Sequence, residues 1–188
     1  FRAAEPRSDD AGVRRRYERQ LCLPSSAIAR LLGPKLIASV ALTGGDPYLL
    51  MGSDVAILFE AKDRATLSTL INSRVALAGS EYKSAVAVSG KVGDVAYLGM
   101  RSPDRVVCSY VATIGNVVVV TNSLTQLERI AAVAGQTSPS LASLPEYTFF
   151  RDRYPLGDAN ESGLLILSDA TIRRWCGPKW RIADSRRV

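Results

Sequence analysis

Cysteines, clustered arginines and acids beside glycines are the residues of this chain whose types could do chemistry. Trp175-Cys176-Gly177-Pro178-Lys179 comes nearest to a reactive motif. It resembles half of a Cys-x-x-Cys redox site, but Lys179 stands where the resolving thiol belongs, so a mixed disulfide formed at Cys176 has no neighbour to release it. A thiolate beside Arg174 and Lys179 is still favoured electrostatically, which makes Cys176 the residue of a thiol-redox reading. The context favours a simpler one: residues 170–175 have helical spacing, and Gly177-Pro178 ends helices. Cys108 falls on an apolar strand face and reads as a small buried hydrophobe. With three cysteines in all, not every thiol can pair within one chain, and whether Cys22 joins Cys176 is left open.

The chain contains no histidine. Within it, Ser-His-Asp and Cys-His catalysis and any imidazole zinc site are therefore excluded. Gly44-Gly45-Asp46 and Gly90-Lys91-Val92-Gly93 lack the spacing of a phosphate cradle and read as turns. Asp46, Asp54 and Asp63 match no calcium loop. No catalytic residue, metal ligand or cofactor is expected from these patterns.

Charge is unevenly spread. Residues 1–45 hold 8 basic and 4 acidic groups, residues 46–170 hold 10 and 13, and residues 171–188 hold 6 and 1. The body is mildly acidic between two basic ends. A polyanion reading would use Arg14, Arg15 and Arg16 at one end and Arg173, Arg174, Lys179 and Arg181 at the other, against nucleic acid or anionic lipid. Basic ends that merely solvate the chain or pair with its acidic body are the plainer account.

The elements that would position these groups follow from periodicity. Residues 12–21 suit a short basic helix, and Pro24-Ser25-Ser26 opens a second that Gly33-Pro34 closes. Leu36–Leu42 reads as a strand. Val55–Phe59 is apolar on both faces, hence central in a sheet. Asp63 caps a helix carrying Leu67, Leu70, Ile71 and Val75, ended by Gly79-Ser80. A meander follows over about 82–89, 94–100, 105–114 and 117–121, with turns at 90–93, 102–104 and Gly115-Asn116. Val106, Cys108, Tyr110, Ala112 and Ile114 share one strand face. Ser123 and Gln126 have capping-box spacing before an apolar stripe through Ala134. Pro145 starts a helix whose Tyr147, Phe150 and Tyr154 are expected in a core, in preference to an exposed aromatic platform for a partner or ligand formed with Phe149. Leu164–Leu167 reads as a strand and Ser168-Asp169 as the cap of a last helix.

The runs from Asn116 to Leu127, from Ser140 to Phe150 and from Gly163 to Ser168 resemble a family of uncharacterised bacterial proteins. The likeness covers roughly residues 46–172 and rests on the strand-cap-helix run, the Leu141/Tyr147/Phe150 element and the closing strand. It implies an exported or membrane-attached protein with repeated strand-helix units, in the bacterial envelope or periplasm, and it supplies no catalytic residue.

The expectation is thus an α+β fold: a mainly antiparallel sheet, meander about 82–121, with helices packed on one face. Residues 1–34 form a basic segment with short helices, 35–172 the α+β domain, and 173–188 a basic segment continuing into further chain. No run is long and apolar enough for a transmembrane segment. The two apolar faces of Val117–Val120 predict that a protein partner or neighbouring domain buries the second face. The function expected is a non-enzymatic interaction or scaffold domain, a fragment of a larger bacterial protein. The alternatives are a thiol-redox module or a polyanion binder.

Overall fold

A computed structural model describes residues 12–24, 33–44, 54–157, 161 and 163–166. The chain divides into two compact units, residues 1–138 and 139–188. In the first, the elements are α1 (Val13–Gln20), β1 (Ile37–Gly44), β2 (Val55–Ala61), α2 (Arg64–Glu81), β3 (Val86–Val92), β4 (Val95–Arg101), β5 (Cys108–Ile114), β6 (Val117–Thr121) and α3 (Leu124–Ala134). The six strands form one sheet in the order β1-β2-β6-β5-β4-β3, every pair antiparallel. This is the expected α+β class with its antiparallel meander.

The meander's turns are set by local chemistry. Val92 pairs with Val95 and Ile114 with Val117, so each connection is a two-residue turn, Gly93-Asp94 and Gly115-Asn116. Gly93 and Gly115 both have φ of +56°, the left-handed conformation such turns require. The first turn is thus later than expected, and Gly90, Lys91 and Val92 belong to β3. Residues 82–85 precede that strand rather than join it. The third strand starts at Cys108, not at 105, because Ser102–Val107 closes on itself. Ser102 donates its amide to the Val107 carbonyl at 2.8 Å, and its hydroxyl accepts the Val107 amide at 3.1 Å. Val106 is consequently exposed and Val107 takes the core position.

The helices do not share one face. Leu67, Ile71, Val75 and Ala78 of α2 pack with Val111, Val118, Val120 and Met100, and Tyr17, Leu21 and Cys22 join the same cluster. Leu124, Leu127 and Ile130 of α3 pack with Ala56, Ala112 and Val119, whose side chains point the other way. The second apolar face of β6 is therefore covered by the chain's own α3, which corrects the expectation that a partner must bury it. The two strand-helix units explain the layering. Asp63 caps α2 by accepting the Thr66 amide at 3.0 Å, and Ser123 caps α3 by accepting the Gln126 amide at 3.3 Å. Each cap lies two residues past its strand, but Ala61 faces the α2 side and Thr121 the α3 side. Side-chain alternation thus sends the two helices to opposite faces. Leu127 is fully buried, and cutting it to alanine would cost about 3 kcal/mol.

Helix α2 runs through Gly79-Ser80 to Glu81, past its expected end, and leaves Leu70 exposed on its flank. The capping box of α3 is half made. Gln126 donates its amide side chain to Thr43 Oγ1 at 3.4 Å, while the Ser123 amide donates to Thr121 Oγ1 at 3.1 Å.

In the second unit a single 3-10 turn (Leu141–Ser143) precedes α4 (Pro145–Arg153). No residue of α4 is buried, Phe150 and Tyr154 are exposed and Tyr147 is half-buried, which corrects the placement of these three in a core; Phe149 is exposed beside them. Arg151 pairs with Glu161 at 2.8 Å and lies over the Tyr147 ring. Residues 163–166 are not in a strand. The expected helices at 25–32 and 168–175 lie outside the described residues.

Candidate interaction surface

The sequence's chemical candidates fall in different places. Cys176, Arg173, Arg174, Lys179 and Arg181 lie outside the described residues. Arg14, Arg15 and Arg16 are exposed on α1, where successive residues point about 100° apart. Arg14 pairs with Glu18 at 2.8 Å and Arg16 lies 5.1 Å from the Tyr17 ring centre. Arg15 instead faces a cleft of about 240 Å³ between α1 and α2, with Arg19, Arg74, Glu18 and Glu81. The helix therefore does not gather Arg14, Arg15 and Arg16 onto one surface, and the cleft mixes three cations with two acids.

Cys22 lies at the floor of that cleft. It follows α1 with φ of +58°, and the Cys22 amide donates to Arg19 and the Leu23 amide to Glu18, at 3.1 and 2.9 Å. This is a Schellman helix end with a cysteine where glycine is usual. Burial pushes its thiol up to about 11, outweighing the nearby Arg74 that pulls it down. The thiol is thereby a poor nucleophile near neutrality. Cys108 is fully buried as expected, its Sγ 3.3 Å from the Asn122 carbonyl. Both thiols are free. Among the described residues no three His, Cys, Asp or Glu side chains converge as metal ligands. No helix of those residues is long and apolar enough to cross a membrane.

The surface with the clearest capacity is the β1 edge. Its eight residues, Ile37-Ala-Ser-Val-Ala-Leu-Thr-Gly, carry no charge, and all but Ile37 are exposed. Val40 is 59% and Leu42 69% exposed, both on the α2 face of the sheet. The register shifts between Ile37 and Ser39, so the regular ladder runs over Ser39–Gly44. The direction of its outer hydrogen-bonding groups follows from the next strand. Val55 donates its amide to Asn122 Oδ1 at 2.8 Å and accepts the Asn122 amide at 3.2 Å, so both its polar groups point to β6. In an antiparallel ladder alternate residues point opposite ways. Ala56, Leu58 and Glu60 therefore face β1, where they meet Thr43, Ala41 and Ser39. Among the described strands β1 is outermost, so the amides and carbonyls of Val40 and Leu42 point away from β2 along its outer side.

The other edge is built differently. β3 carries Lys91 and Gly90, and Tyr97 lies across Gly90, so that a Cβ there would meet its ring. Lysine on an edge is a common block to strand addition, and β1 has none. Sequence reasoning placed a strand at Leu36–Leu42 without seeing its edge position. The signal available was its lack of charge, but strand order was needed to interpret it. No protein-family model matches this chain, and neither a curated protein nor a solved structure is significantly similar to it.

Proposed function

We propose that this chain is a non-enzymatic interaction or scaffold domain of a larger bacterial envelope protein, and that it engages a partner by adding a strand to β1. The observation that carries this reading is the uncharged, outward-facing ladder of Val40 and Leu42 on a regular edge. Main-chain hydrogen bonds to such an edge supply affinity, and alternate side chains supply selection. The envelope location rests on the resemblance to exported or membrane-attached bacterial proteins.

A benzophenone side chain at position 42, in the protein expressed in its own host, tests the reading. Light is expected to produce covalent adducts from position 42 and none from position 91 on the opposite edge. Val40→Pro, which deletes an outward amide without touching the β2 ladder, should abolish them. Equal yields from the two positions, or yields unchanged by Val40→Pro, would overturn strand addition at β1.

A further inference from the structure

We infer that the β1 edge pairs with the β1 edge of a second copy of this chain, joining two sheets about a two-fold axis; this rests on the reading of β1 as a docking edge. The argument is one of register. A two-fold perpendicular to the sheet pairs residue with residue in antiparallel order and keeps each side chain on its own face, so paired residues must point the same way. Any residue of β1 satisfies this as a centre, and the middle of the strand offers Val40, Ala41 and Leu42. Centring on Val40 keeps only residues 39–41 clear of the irregular Ile37–Ser39 step, and centring on Leu42 keeps 40–44 but sets Val40 against the second copy's Gly44. Centring on Ala41 keeps five residues, 39–43, within the regular stretch.

That register is also the chemically matched one. Val40 meets the second copy's Leu42 and Leu42 its Val40, so the exposed apolar side chains cover each other on the α2 face. These are the residues whose amides and carbonyls point outward, so each pair exchanges two hydrogen bonds. Ser39 meets Thr43 on the other face. The chain carries a net charge of +6, which repels a like copy, but β1 has no charged residue to oppose its own image. Five paired residues bury little area, so the dimer is weak and forms reversibly at high protein concentration.

The two-fold puts Ala41 opposite itself in a non-hydrogen-bonded pair, with Cα atoms about 4.5 Å apart, a separation that a disulfide spans. Ala41→Cys, made with Cys176→Ser so that no thiol outside the described residues interferes, should form a disulfide-linked dimer under mild oxidation. Val86→Cys, also exposed and on the opposite edge, should give at least tenfold less, and adding Leu42→Pro to Ala41→Cys should bring its yield down to that level. Circular dichroism of each variant confirms that it is folded. If folded Ala41→Cys links no faster than Val86→Cys, or if Leu42→Pro leaves its yield unchanged, the dimer is refuted. Adducts from position 42 to a different protein would then preserve the docking edge, whereas no adducts at all would remove both readings.

Discussion

The side-chain carbonyl of Asn122 accepts the backbone amide of Val55, 67 residues earlier, at 2.8 Å. The Asn122 amide donates back to the Val55 carbonyl at 3.2 Å, so one residue extends the β2–β6 ladder beyond its last regular pair. Its Nδ2 donates to Gln20 Oε1 at 3.0 Å, and its carbonyl accepts Arg105 Nη2 at 2.9 Å. α1, β2 and the β4–β5 turn are thereby tied at one point. Asn122→Ala leaves the Val55 amide buried without its partner and should cost about 2–3 kcal/mol. Urea unfolding followed by circular dichroism measures this; a loss below roughly 0.5 kcal/mol would mean that water replaces the side chain.

Two glycines of the meander should behave differently. A Cβ at Gly99 would strike the Ser109 backbone carbonyl of the neighbouring strand, which cannot move without breaking the ladder. At Gly90 the obstacle is the end of the Tyr97 side chain, 2.7 Å away at its hydroxyl, which can swing aside. Gly99→Ala should lose roughly 2–3 kcal/mol and Gly90→Ala clearly less. Paired denaturant curves compare them, and equal losses would show that Tyr97 is held as firmly as the backbone.

The Cys22 thiol should be silent in the folded protein. With its pKa raised from 9.0 to about 11, only about one molecule in a thousand carries the thiolate at pH 8. Ellman's reagent should label Cys22 only after denaturant is added. The raised value also links the thiol to stability. Its contribution is complete below pH 9, where the unfolded thiol is still protonated, and is lost as pH rises from about 9 to 11. Melting of wild type and Cys22→Ser across pH 8–11 should show wild type falling more steeply. Parallel curves would contradict the assignment.

Gln136 is strained where glycine would not be. It follows α3 with φ of +59°, and the Gln136 and Thr137 amides close on Val133 and Ala132 at 3.1 and 2.9 Å. This is a second Schellman end, displaced one residue past Gly135, which itself has φ of −78°. Gln136 is exposed and no side-chain bond accounts for its choice here. Gln136→Gly should raise stability by about 0.5–1 kcal/mol, because the left-handed conformation costs a side-chain-bearing residue more. A thermal midpoint no higher than wild type would count against this.

Much of the fold was legible because it is written in short range. Turn chemistry at Gly115-Asn116, the caps Asp63 and Ser123, and the apolar run Val117–Val120 each act within a few residues, so their types announce them. The errors have a common origin. Gly90 resembles a turn residue until Tyr97 is seen lying across it. Val106 fits an alternating strand until Ser102 closes its loop onto Val107. Gln126 has the spacing of a capping box, but Thr43, 83 residues away in sequence, takes its side chain.

Periodicity and turn residues were enough to establish an antiparallel α+β protein, because a strand's alternation and a glycine's left-handed turn are properties of the local chain. Which face each helix covers, and that uncharged β1 forms an edge rather than the middle of the sheet, was decided only in three dimensions. Those outcomes depend on strand order and on the parity of the last residue before each cap. Both are set when distant segments compete to bury the same apolar faces, and no local pattern records the result of that competition.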